Sequence, residues 1–70
     1  MFSYKPLLKL LIDKNLKLVD LRKDLGISGA TLAKINKNEY ISMETLDKIC
    51  DFLDCEVGDV IQHVKEKRKG

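Results

Sequence analysis

Residues 18–36, LVDLRKDLGISGATLAKIN, decide the fold. Leu18, Leu21, Arg22 and Leu25 recur at helical spacing, and Gly26 follows with the freedom to take the positive φ that ends a helix. Ile27 is apolar within the turn. Ser28 can accept a backbone N–H as an N-cap, and Leu32 and Ile35 follow four and seven residues later on one face. Two helices of about two turns each, near 18–25 and 28–36, are thereby joined by a tight glycine-containing turn.

Outward from this unit the pattern stays helical. Leu7, Leu8, Leu10, Leu11 and Ile12 follow Pro6, which suits a first helical turn, so a first helix is expected from Tyr4 to about Lys14, where Lys14-Asn15 breaks it. NKNEY at 36–40 is a second break. Ser42 then opens a fourth helix ending near Asp54, with Met43, Leu46, Ile49, Cys50 and Leu53 on its inner face. Val57, Val60, Ile61 and Val64 fit a fifth helical stripe over 56–64. Phe2 and Tyr4 alternate around Ser3 as in a short extended arm, and the basic tail 65–70 is expected to fray. The expected fold class is all-α, a compact five-helix domain, with strand limited to the termini.

Seventy residues, 44% of them hydrophobic, make one small domain spanning 1–70. A chain this size buries only about 60% of its unfolded surface, so a stability of roughly 3–5 kcal/mol and a benefit from dimerisation are expected. No run is long and apolar enough for a membrane span, and MFSYKPLLKLLIDK has neither a basic leader nor a small-residue cleavage site, so a cytoplasmic protein is expected. Charge is polarised along the chain. Residues 1–38 carry a net +5, 39–62 a net −6 and 63–70 a net +3, within a formal total of +2. A basic front half can meet a polyanion while the acidic half turns away.

Catalytic and metal chemistry find no support. His63 is the lone histidine and has no nucleophile at a catalytic spacing. Cys50 and Cys55 lack the second ligand pair of a zinc site and read as small apolar residues kept reduced. Asp47, Asp51 and Asp54 form a solvated acidic row, because a calcium loop needs alternating ligands around a glycine. No glycine-rich phosphate loop exists. The chain is expected to be neither enzyme nor cofactor carrier, and to have no small-molecule substrate.

Two short helices crossing steeply at a glycine turn form a helix-turn-helix, in which the first helix braces the DNA backbone while the second lies in the major groove. Over residues 18–61 the chain resembles the Cro and phage-repressor type of this domain, the xenobiotic-response-element family. The resemblance rests on Leu21, LGIS at 25–28, Thr31, Leu32, Lys34, Ile35 and SMETLDKICDFLDCEVGDVI at 42–61. It implies selective binding of duplex DNA, usually by a homodimer on a two-fold site, and transcriptional control as a repressor or autoregulator. By position it implies phosphate contacts at Ser28, Lys37 and Asn38, base-edge contacts at Gly29, Ala30 and Thr31, and a further groove contact at Lys34. Lys17 joins these on its charge and its place before the second helix.

Three features depart from the family pattern. Leu18 and Val19 stand where Gln and Glu often clamp a phosphate. Arg22 stands where the family favours Ala at a close helix approach, and can either lay its stem on the apolar seam with its head outward or reach a phosphate. Lys37-Asn38 replaces the usual Asn-Gly, with Asn38 able to adopt the left-handed conformation.

Finally, Gly29 and Ala30 bring no hydrogen-bonding side chain to the tip of the second helix. Three readings follow. Their smallness lets the backbone approach the groove, with Ala30 and Thr31 on thymine methyls and Lys34 on guanine; or binding is mainly to phosphates; or the smooth tip docks on a protein, as in an antitoxin-like or anti-repressor module. The fifth-helix stripe Val57, Val60, Ile61 and Val64 and the arm at Phe2 and Tyr4 are candidate dimer surfaces, with core packing the more expected role for Val57 and Ile61.

Overall fold

The computed structural model describes residues 1–65. Strand β1 (Phe2–Ser3) leads into helix α1 (Lys5–Asp13), followed by α2 (Leu18–Leu25), α3 (Gly29–Asn36) and α4 (Met43–Leu53). A 3₁₀ turn (Val57–Asp59) then leads to strand β2 (Gln62–His63), which pairs antiparallel with β1 in the register Phe2 to His63 and Ser3 to Gln62.

Each helix stops for a local reason. Asn15, Asn38 and Asp54 take left-handed φ values of 61°, 57° and 51° just past α1, α3 and α4. At each, the N–H of the following residue reaches back over the last turn: Leu16 to the Leu11 carbonyl, Glu39 to that of Lys34 and Cys55 to that of Cys50. This is the Schellman arrangement, which satisfies carbonyls that a helix end otherwise leaves unpaired. Gly26, at φ 68°, closes α2 with the simpler bond from its N–H to the Arg22 carbonyl.

The start of α1 is equally complete. Tyr4 N–H donates to Asn38 Oδ1, Lys5 N–H to Ser3 Oγ and Leu7 N–H to the Val60 carbonyl, while Pro6 has no N–H to satisfy. These bonds tie the chain start to the α3–α4 connection and to the segment after α4. The Tyr4 hydroxyl adds a 2.6 Å bond to the Glu39 carbonyl.

The core consists of Tyr4, Leu7, Leu11, Leu21, Ile27, Ile35, Leu46, Ile49, Leu53 and Val60. Leu25 and Leu32 are half-buried against it.

Three expectations are corrected. Four α-helices are present among the described residues, not five, because 56–64 divides into the 3₁₀ turn and β2. Gly58 and the β-branched Val57, Val60 and Ile61 are weak helix formers, and β1 offers the segment a strand partner instead. With the fifth helix goes its stripe: Val60 is fully buried and Ile61 half-buried, whereas Val57 and Val64 are exposed, so the core role falls to Val60 rather than Val57. Met43 is 79% exposed, since as the first residue of α4 it lies beyond the end of the core-facing stripe. Ile12 is exposed as well, on the outer face of α1. Of the tail 65–70, Lys65 is exposed and 66–70 lie outside the described residues.

Candidate nucleic-acid interface

The α2–α3 unit is built by short-range signals. Asp20 Oδ2 accepts the backbone N–H of Lys17 at 2.8 Å, fixing the entry to α2 and placing an acid in its first turn, where the helix dipole favours one. Leu21, Ile27 and Ile35 are buried beneath the turn and hold α3 at its angle to α2. Ser28 caps α3: its Oγ accepts the Thr31 N–H at 3.2 Å and lies 3.0 Å from Thr31 Oγ1.

This geometry sorts the candidate contacts. Lys17, Ser28, Gly29, Ala30, Lys34, Lys37 and Asn38 are all exposed, and Thr31 is half-buried. Ser28, Gly29, Ala30 and Thr31 come together as the first turn of α3, with Lys34 one turn further on. Lys37 and Asn38 form its last bend, at the opposite end from the tip. Thr31 shares its hydroxyl with Ser28, so its methyl rather than its oxygen is the group left for apolar contact. Asn38 has a structural duty: its Oδ1 is spent on Tyr4 N–H, which leaves only its amide NH₂ to donate outward.

The N–H groups of Gly29 and Ala30 have no partner among the described residues. No acid lies in the first turn of α3 to answer the positive end of its dipole. Lys17, Lys34 and Lys37 are likewise free of ion pairs among the described residues, where Lys48–Glu44 is the one recorded pair, at 3.7 Å. The surface around α3 is therefore electropositive and unsatisfied, as a surface for a polyanion should be.

Two contributors escaped the sequence pattern. Asp20 is legible afterwards, being an acid three residues into the helix from Lys17, the position from which a carboxylate reaches back to the chain entering the helix. For Arg22 the sequence leaves the direction of the head open between the solvent and a phosphate. A Cβ on residue 29 would stand 3.6 Å from Arg22 Nη1 and 4.0 Å from its Cζ, so the guanidinium lies against Gly29 at the tip of α3.

A family model for the Cro/C1-type helix-turn-helix DNA-binding domain matches residues 6–66. The chain belongs to this family. A crystal structure of the transcriptional regulator VanUg is similar to it at 45% sequence identity and a TM-score of 0.89, covering 93% of this chain and 87% of the other. No curated protein matches the chain. The helix pair α2 and α3, joined at Gly26, is the helix-turn-helix of this Cro/C1-type domain.

Away from this face the chemistry is quiet. Among the described residues, no three His, Cys, Asp or Glu side chains group closely enough to hold a metal ion, and no helix is long and apolar enough to cross a membrane. Cys50 and Cys55 are free thiols, half-buried at the C-terminal end of α4, and burial pushes both pKa values up, away from the reactive thiolate. His63 is exposed in β2, edge-on to Phe2 at 5.3 Å between ring centres.

Proposed function

We propose that this domain is a transcriptional regulator that binds duplex DNA selectively as a homodimer in the cytoplasm, repressing or autoregulating the promoter it occupies. The observation that carries the reading is the capped, acid-free first turn of α3, with exposed Lys17, Lys34 and Lys37 on the same helix-turn-helix. α3 enters the major groove tip first. Gly29 and Ala30 bring its backbone close, the Thr31 methyl meets apolar base edges, and Lys34 reaches a base acceptor one turn along. Ser28, Lys37 and the Asn38 amide hold phosphates, with Lys17 at the start of α2. The regulatory role of VanUg, similar over nearly the whole length of both chains, supports extending this from DNA binding to control of transcription. Exposed Tyr40 and Met43 beside the start of α4, together with Val57, support a two-fold pair, since they leave apolar surface that a second copy could bury.

The test is selection from a random duplex library near physiological salt, then titration of the enriched site against scrambled DNA over a salt series. The expected result is a two-fold site bound about 10³-fold or more tighter than scrambled DNA, with half-sites about one helical turn apart. An absence of enrichment, with weak binding that disappears as salt rises, overturns the reading and directs the search to protein partners.

A further inference from the structure

We propose that Arg22 supplies, from α2, the side-chain donors that the tip of α3 lacks, and reads the major-groove edge of a guanine. The inference rests on the DNA-binding reading above and names a residue that this reading leaves without a role.

Three observations carry it. First, the guanidinium meets the tip residue itself. Its Nη1 stands 3.6 Å from where a Cβ on residue 29 would be, which is where the polar end of a longer side chain at 29 would have to pass. The guanidinium thus lies over Gly29, next to the space that a longer side chain there would enter. Second, the guanidinium has no hydrogen bond or ion pair among the described residues, and Arg22 is exposed. Asp20, the acid two residues before it, is engaged by Lys17 N–H instead. A planar fork of five donors is presented with nothing to bind. Third, neither Gly29 nor Ala30 has a side chain able to hydrogen-bond a base, and Lys34 is a compact point charge. Arginine is the residue on this surface whose paired N–H groups match O6 and N7 of guanine together.

The arrangement also constrains residue 29. A Cβ alone would be in ordinary contact with the guanidinium, but a side chain with γ and δ atoms would compete with it for the same space. Arg22 and a small residue 29 therefore act as a pair.

The experiment runs the random-duplex selection in parallel on the wild-type chain, Arg22→Ala and Arg22→Lys, with circular dichroism on each to establish the fold. The enriched wild-type site is then titrated with each guanine changed singly to the other bases or to 7-deazaguanine, which lacks the N7 acceptor. The wild type is expected to favour guanine at one position of each half-site by about 10- to 100-fold. Arg22→Ala should lose that preference at that position and keep the rest of the site, and Arg22→Lys should restore affinity without restoring the preference. Should Arg22→Ala not fold, Arg22→Gln takes its place with the same expected loss. An unchanged guanine preference overturns the proposal. So does a uniform loss on every sequence with the salt slope reduced by about one, which would make Arg22 a phosphate contact. If the wild type itself enriches no site, the DNA-reading function fails at its root, an outcome distinct from either of these.

Discussion

The backbone N–H of Tyr4 donates to Asn38 Oδ1 over 3.0 Å, so that one residue, 34 positions away, caps the first helix with its side chain and ends the third with its left-handed backbone. The two duties separate by substitution. Asn38→Gly keeps the left-handed backbone but leaves the Tyr4 N–H unpaired, for an expected loss of about 1–3 kcal/mol. Asn38→Ala adds roughly 1 kcal/mol of backbone strain. Urea or thermal denaturation checks the order wild type, glycine, alanine. Equal stability of all three would show that the bond contributes nothing.

Lys34→Ala and Lys37→Ala remove exposed charges that brace no part of the fold. Stability is expected within about 0.5 kcal/mol of wild type, with weaker DNA binding in both. If Lys37 holds a phosphate, its loss lowers the salt-dependence slope by about 0.9 and weakens all sequences alike. If Lys34 meets a base, its loss falls mainly on the preferred site. A salt series on preferred and scrambled duplexes separates the two.

Ser28 and Ser42 cap α3 and α4 in the same way, each through its Oγ to the N–H three residues on, at 3.2 and 3.1 Å. Alanine at either should cost about 1 kcal/mol of stability. Ser28→Ala alone should also weaken DNA binding, because in the proposed docking only its helix meets the groove. Matching DNA-binding losses in the two variants would count against a contact at Ser28.

Alkaline titration exposes the buried acids. Burial raises the pKa of Tyr4, against a smaller opposing contribution from the Ile41 backbone, and burial likewise raises those of Cys50 and Cys55. Each group stays protonated to higher pH in the folded chain than in the unfolded one. Its contribution is therefore complete below its unfolded pKa and is lost as pH rises through the folded value. Urea midpoints should hold steady to about pH 9, the ordinary thiol value here, and fall beyond it. A Cys50→Ser, Cys55→Ser double variant should delay that fall towards the tyrosine range. A midpoint that rises above pH 9 would reverse the assigned sign.

The helix-turn-helix was legible because its signals are local. Gly26, Ser28 and the apolar pair Leu32 and Ile35 lie within ten residues, and α2 begins and ends where the spacing placed it. Asn38 was legible as a left-handed residue, but its bond to Tyr4 was not, since nothing near position 38 encodes a partner 34 residues back. The fifth helix failed for the same reason. Val57, Val60, Ile61 and Val64 satisfy a helical period taken alone, and the pairing of Phe2 with His63 that competes with it is invisible to any local window. Arg22 shows the limit at the site. Its sequence position marked a close helix approach, but the placing of its head against Gly29, across the turn, is a tertiary contact that no local pattern encodes.

The ribbon of β1 and β2 carries a kinetic consequence. Its bonds join residues about sixty positions apart, including the Met1 amine to the Val64 carbonyl at 3.1 Å, so closing it early would cost chain entropy with nothing yet to offset it. The helices are expected to condense first and the ribbon to zip last. By the same logic it opens first, and its amides should exchange with solvent while those of α2 and α3 remain protected. Loss of the ribbon would leave α3 seated on Leu21, Ile27 and Ile35, so the helix-turn-helix would outlast the clasp that joins the two ends of the described chain.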